Sequence, residues 1–532
     1  MRWRNRGAVL AASIVLLAGC ASTEIDQVLP GAVFKGAAVA DEPLAARAAM
    51  DMLARGGSAA DAVVAAYFTL AVTYPSAASL GGGGVCMVAD WDQGQVLALD
   101  FVAPRSSAAG GYRATAVPAN VRGVAALHAR YGYLDWRTVL APAERIARFG
   151  EPLTRASAVT YGAGGRKLLA QPAAREIFAP RGALPVEGQV VIQSDLADFL
   201  AALRLGGAGA MYRGPLADNL VQAVQQAGGS LLRQDLWNFK PIWQPVDGVQ
   251  FHNDNIYFAP APAGAGLVAG QMWQMLVDDK RYARADIDER YHLLAETARI
   301  AFAGRSRWLA DDGATLQPGE LLSAAAAEQS MTGYNPTAAG VQGGTDNGPP
   351  DQSAARVSTG VVAMDYLGGA VACNFTSYKP FGAGIAAPGT GILLAPSPES
   401  RDRNPLSLGP VMIFNPRVQA MKFIATGGDG ADGATSLINV AAATVIDGQR
   451  LDRQIRRPRV HHGGGGTVYL ESQADDDILQ ALTGRGHSVA RVKSLGRVNA
   501  IHCPPGYPVE PEKTLCWAVS DPRGFGLAVF PD

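Results

Sequence analysis

STGVVAMDYLGGAVACNFTSYKPFGAGIAAPGTGILL, residues 358–394, opens on two hydroxyl residues and then alternates as a β-hairpin does. Val361 and Ala363 lead into the turn Asp365-Tyr366-Leu367-Gly368-Gly369, and Val371, Cys373 and Phe375 lead out of it. Two strands paired in this way return Thr376 to the level of Ser358. The preceding MTGYNPTAAGVQGGTDNGPPDQSAARV (331–357) is rich in Gly, Pro, Ala, Asn and Asp without sustained apolar periodicity, and it reads as an exposed, flexible loop. Such a loop is easily cut. A break before Ser358 places a hydroxyl and a new α-amine on one residue, and an α-amine of pKa roughly 8 can serve as that hydroxyl's own base. An ordinary core hairpin following a surface loop carries the same pattern.

Outward from the hairpin, the chain of 532 residues, 48% hydrophobic and 17% charged, is long enough to bury a large core. No Ser-rich linker divides it, so 331–357 is read as a processing site inside one domain. Helical stretches at 43–72, 119–148, 192–228 and 286–310 alternate with β-patterned stretches at 81–101 and 357–378, which predicts a layered α/β architecture. A formal net charge of −1 leaves no basic footprint, and no nucleic-acid partner is expected.

The N-terminus reads separately. Arg2, Arg4 and Arg6 precede the apolar run GAVLAASIVLLAG and then Cys20, which makes 1–19 a lipoprotein signal peptide with the lipid carried on the Cys20 thiol. The run is too short for a stable span of about 20 residues. A membrane partner through this anchor is therefore expected, in a bacterial cell envelope, at the outer membrane facing the periplasm. In that compartment Cys503 and Cys516, which flank a Pro-rich loop, can form a disulfide, while Cys86 and Cys373 in apolar strands are expected to be buried thiols. No Cys-x-x-Cys or His-x-x-x-His spacing occurs, so no metal is expected. His461-His462, adjacent on a strand, would point apart.

The hairpin resembles the start of the small subunit of the γ-glutamyltransferase (γ-glutamyltranspeptidase) family of N-terminal nucleophile hydrolases, in which Thr-Thr-His is followed by a strand, Asp, a turn and a strand with Thr. Ser358-Thr359-Gly360, Asp365, Thr376, Phe381-Gly382-Ala383-Gly384 and Gly391-Ile392-Leu393-Leu394 stand in the corresponding places. AVADEPLAARAAMDMLARGGSAADAVVAA (38–66), SLGGGGVCMV (79–88), RPRVHHGGGG (457–466) and RGHSVARVKSLGRVNAI (485–501) are similar to further family segments in the family's order. The resemblance implies a four-layer αββα sandwich, with 20–357 as large subunit and 358–532 as small subunit after self-cleavage at Val357-Ser358. It implies no cofactor. Ser358 would be the nucleophile in place of Thr, Thr359 the second residue of the motif, and Thr376 the hydroxyl that hydrogen-bonds the nucleophile. Gly427-Gly428 would offer backbone N–H groups to the oxyanion, and Ser407 would match one of two substrate-site serines, Leu408 standing where the other would be. An acyl-enzyme formed from a γ-glutamyl amide such as glutathione would then pass to water or to an amino-acid or peptide acceptor.

The departures fall together on the substrate clamp. Where the family places an Arg for the α-carboxylate, the chain has Val102, with Arg105 nearby. Where it holds the α-ammonium, the chain offers Tyr378 and the run Ala395-Pro396-Ser397-Pro398-Glu399, in which Glu399 is the acid. Three functions compete on this reading: a γ-glutamyltransferase or hydrolase, an amidase or acylase of the same fold with another acyl specificity, and an inactive surface-binding lipoprotein. The two fragments are expected to be held together by their buried core without a disulfide between them.

Overall fold

The computed structural model describes residues 34–90, 92–108, 113–246, 248–310, 318–341, 350, 356–399, 405–511 and 514–531. The signal segment with Cys20, and residues 342–349 and 351–355 of the loop before Ser358, lie outside the described residues.

The period-two alternation resolves into two antiparallel sheets packed face to face. Seven strands run in the order Leu527–Val529, Gly36–Ala40, Ser358–Asp365, Ala370–Thr376, Gly83–Asp90, Gln95–Phe101, Ile242–Pro245. Six run in the order Trp517–Val519, Arg497–Tyr507, Ala420–Gly428, Val411–Asn415, Asp254–Phe258, Gly248–Phe251. Val85, Met87, Val362 and Met364 of the first interlock with Met412, Phe414, Ile424 and Ile501 of the second. The outer faces are apolar too. Val361, Ala363, Val371 and Phe375 pack against the helices of residues 43–73. Ile413, Phe423, Ala425 and Val498 pack against Gly264–Val277, Ile287–Ala303 and Ala431–Ala441. The result is the expected αββα sandwich.

Sheet and helix are joined at the hairpin. All residues of Ala59–Thr73 are buried, as an all-round apolar helix requires, and Ser58 and Asp61 cap its start reciprocally. The Ala59 N–H donates to Asp365 Oδ2 at 2.9 Å, while the turn amides of Leu367 and Gly369 donate to Asp365 Oδ1 at 3.0 and 2.9 Å. One carboxylate thereby fixes the hairpin turn and the helix N-terminus together, although burial pushes its pKa up to about 6. The Gly-rich run at 81–84 serves close approach: a Cβ on Gly82 would meet the Thr376 carbonyl oxygen at 2.3 Å.

The predicted helical stretches each divide, 192–228 into Ser194–Gly206 and Pro215–Gln226, and 286–310 into Ile287–Ala303 and Arg305–Trp308. Cys503 and Cys516 are bonded, as expected. The expectation of buried thiols at Cys86 and Cys373 is corrected. These residues face each other across neighbouring antiparallel strands with Cα atoms 4.1 Å apart and form a disulfide. It joins segments on either side of the Val357-Ser358 bond, so the expected absence of a disulfide between the two parts is corrected with it. His461 and His462 are both buried and do point apart, His461 Nδ1 to Thr435 Oγ1 at 3.0 Å and His462 Nδ1 to the Gly464 amide at 3.1 Å.

Candidate active site

Strand register sets Ser358 opposite Thr376, and both residues are fully buried. Thr376 Oγ1 donates to the Val357 carbonyl oxygen at 2.7 Å and accepts the Tyr378 amide at 2.9 Å. The carbonyl that precedes Ser358 is thus polarised by a hydroxyl that two strands hold in place. Ser358 Oγ accepts the amide N–H of Asp429 at 3.1 Å. Asp429 follows Gly427-Gly428 at the end of a strand in which Gly428 pairs with Arg497, and a Cβ on Gly428 would lie 3.8 Å from Ser358 Oγ. The Gly pair therefore borders Ser358 Oγ, and the amide aimed at that oxygen belongs to the next residue.

Behind these groups lies a buried ionic network. Arg497 donates to both oxygens of Asp429, Nε to Oδ2 at 2.7 Å and Nη2 to Oδ1 at 2.9 Å, and its Nη1 donates to the Tyr74 hydroxyl at 3.1 Å. Arg356 Nη1 donates to Asp429 Oδ2 at 2.9 Å. Burial alone would raise the Asp429 pKa, but the Arg356 and Arg497 guanidiniums outweigh it and hold the carboxyl below its usual range. For Arg497 burial opposes the charge, yet Asp41 and Asp429 keep it firmly protonated. Paired and hydrogen-bonded in this way, the charges are tolerated inside the sandwich.

Thr359 is placed on the other side of the strand. Its Oγ1 donates to Asp41 Oδ2 at 2.9 Å, and the Gly360 amide donates to the same oxygen at 3.1 Å. Asn499 Nδ2 then joins Asp41 Oδ1 at 3.0 Å to the Gly360 carbonyl at 3.1 Å. Of the two hydroxyl residues, Ser358 is the one beside Thr376 and the Asp429 amide.

The candidate clamp residues disperse. Tyr378, at a φ of 62°, donates its hydroxyl to the Ala103 carbonyl at 2.6 Å and packs on an apolar cluster of Ala103, Ala116, Ala119 and Ala395. Val102 leans on the inter-sheet core, and its amide donates to Asp100 Oδ1 at 2.9 Å. Arg105 is exposed, its backbone bridges Ala116, and its side chain forms no ion pair among the described residues. Glu399 is exposed beside 400–404, which lie outside the described residues. Ser407 is buried in the turn before Val411–Asn415, and Leu408 enters the inter-sheet core.

Another cluster, His292, Glu296 and His487, has donor atoms within 4.8 Å of one another. His292 Nε2 faces the Asn335 carbonyl at 2.9 Å and must donate there, which assigns its Nδ1 as acceptor from His487 Nε2 at 2.7 Å. Arg299 holds Glu296 at 2.7 Å. With the facing nitrogens bonded to each other and the carboxylate neutralised, the cluster is a hydrogen-bonded network joining a helix to the chain after it, not a built metal site.

Asp41, Asp429 and Arg497 are not legible as site residues from composition or periodicity. Their one signal is a charge inside an otherwise apolar or Gly-rich run, as in AVADEP, ATGGDG and SLGRVNA.

The family model described as gamma-glutamyltranspeptidase matches residues 45–530. The glutathione hydrolase proenzyme of Bacillus subtilis (strain 168) is 26% identical over 505 residues, which cover 84% of each chain. The acylase ACY 1 proenzyme of Pseudomonas sp. (strain V22) is 28% identical over 92% of this chain and 93% of its own. Among solved structures, a cephalosporin acylase from Bacillus halodurans superposes with a TM-score of 0.78 over 99% of both chains at 22% identity, a likeness of fold. With the family match spanning nearly the whole chain and the paired hydroxyls in register, the chain belongs to the gamma-glutamyltranspeptidase family.

Proposed function

We propose that this chain is a self-processing γ-glutamyltransferase or hydrolase whose nucleophile is the hydroxyl of Ser358. The observation that carries the reading is the hydrogen bond from Thr376 Oγ1 to the Val357 carbonyl at 2.7 Å, directly beside Ser358. In processing, Ser358 Oγ attacks the Val357 carbonyl carbon, the Oγ proton passes to the Ser358 nitrogen, and the C–N bond breaks to leave an ester and a free α-amine. Water hydrolyses the ester, giving a carboxylate at Val357 and restoring the hydroxyl. In turnover the α-amine takes the Oγ proton as Oγ attacks the substrate amide carbonyl, and gives it to the departing amine as the C–N bond breaks; an incoming water or amine then attacks the ester, takes the acyl group and restores the Ser358 hydroxyl. Thr376 and the backbone amides near Gly428 are the donors available to the oxyanion.

A second reading, acyl transfer without a glutamyl head group, is supported by Tyr378 and its alanine cluster standing where a zwitterion clamp is expected. Membership alone favours the first reading and the apolar cluster against Tyr378 favours the second. An aminoacyl against simple acyl p-nitroanilide panel separates them: preference for γ-glutamyl supports the first, and turnover confined to uncharged acyl groups supports the second. For processing, intact mass of the soluble chain from Ala21 onward is expected to give two fragments, the smaller beginning Ser-Thr-Gly. Ser358→Ala should stay whole. A single uncut wild-type chain would overturn self-processing. The same proposal places the protein at the cell envelope through lipid on Cys20, checked by fatty-acid labelling that Cys20→Ser should abolish.

A further inference from the structure

Two residues before the bond that this reading cuts stands Arg356, and nothing in acyl transfer itself calls for it. Its guanidinium donates to Asp429 Oδ2 at 2.9 Å, with side chains 15% and 6% exposed respectively. Asp429 is also the residue whose amide meets Ser358 Oγ at 3.1 Å, and its carboxylate is held in place by two bonds from Arg497. One residue therefore grips both sides of the reacting centre. Its backbone holds the attacking oxygen, and its side chain holds the chain on the acyl side. Between those two grips lies Val357 alone, with its carbonyl oxygen on Thr376 Oγ1. Without the ion pair, that single hydrogen bond is all that the described residues show fixing the acyl side of the bond.

We infer that Arg356 is a positioning residue for self-cleavage: it docks the segment before the cut onto Asp429, presents the Val357 carbonyl to Ser358 Oγ, and has no role once the bond is broken. This rests on the self-processing reading above. After ester hydrolysis, Arg356-Val357 is the end of a separate fragment that carries its own carboxylate. Arg356 thus acts once per molecule.

The test follows fragment formation by intact mass in the full soluble chain for wild type, Arg356→Gln and Arg356→Lys. Arg356→Gln is expected to slow cutting by roughly ten- to a hundredfold, the scale of loss when a reacting group is misplaced by about 1 Å. Arg356→Lys, which retains the charge, should recover most of the rate. Once cut, all three should show kcat/KM within about twofold of one another on the chromogenic amide that the panel identifies, a result that a merely structural role would not give. Thermal midpoints are compared in the Ser358→Ala background, where none is cut, so that stability lost with the buried ion pair is read separately from the cutting rate, which is followed where every variant remains folded. Cutting of Arg356→Gln at the wild-type rate would overturn the inference and leave self-processing standing. Failure of Arg356→Lys to recover the rate, or a kcat/KM loss in cut Arg356→Gln, would also overturn it. A wild-type chain that never cuts would remove the reading and the inference together.

Discussion

At residue 376 one hydroxyl serves two partners, and because it accepts the Tyr378 amide its proton is committed to the Val357 carbonyl. Thr376→Val keeps the shape and removes the donor. Processing is expected to slow by about 10²-fold, the usual loss for one oxyanion donor, in a time course of fragment formation. Thr359 offers the contrast, since its hydroxyl is bonded to Asp41. Thr359→Ala should still cut, at a stability cost of about 1–3 kcal/mol from the weakened buried carboxylate, measured by urea unfolding of the Ser358→Ala form. Gly360 is glycine for a local reason: a Cβ there would meet Thr426 Oγ1 at 2.1 Å. Gly360→Ala should cost about 1–3 kcal/mol as an overpacked site, again by urea midpoint, and a larger residue should cost more.

The element that meets the site from the second sheet is the helix Ala431–Ala441, which begins just after Asp429. Asp432 in its first turn is buried, accepts the Gly496 amide at 2.8 Å, and is pushed up to about 7 by burial and by the neighbouring Asp429 charge. A carboxyl raised in the folded state binds its proton more tightly there than in the unfolded chain. Its contribution is therefore present below the unfolded pKa of about 4 and is lost as pH rises towards 7. Asp432→Asn does not titrate. The stability difference between variant and wild type should shift in the variant's favour between about pH 4 and 7 and level off above, as followed by urea midpoints across that range. Asp365 shows the same physics in the first sheet, where three amides partly offset the burial of the carboxylate that ties helix to hairpin.

Across the whole molecule, the Cys86–Cys373 bond crosses the proposed cut. Processed protein should therefore migrate as one band without reductant and as two with it, and Cys86→Ala with Cys373→Ala should give two bands in both. The molecule also has a general acid sensitivity. Burial lowers His461 to about 3 and His487 and His502 to about 4, with the His462, His292 and Lys422 charges respectively adding to the effect. Groups lowered in this way bind fewer protons folded than unfolded, so their contribution is present above the unfolded pKa of about 6.5 and is lost as pH falls towards 4. The thermal midpoint should drop over that interval, and His502→Gln should lessen the slope.

The order of segments along 38–501 carried the resemblance to the family, and that resemblance implied the αββα class, while strand pattern and turn chemistry predicted the pairing of Ser358 with Thr376, because period-two burial and a short hairpin are local properties that residues 358–376 specify by themselves. Ser358 and Thr376 were legible for that reason, and the Gly427-Gly428 neighbourhood through the resemblance. What packed around them was not. Asp41, Asp429 and Arg497 come from segments far apart in the chain, and their charges become a network only when two sheets close over them and remove water. The Cys86–Cys373 bond needs strands 287 residues apart to become neighbours in register. Contacts of that kind are fixed by which surfaces bury each other, and only the assembled sandwich decides that.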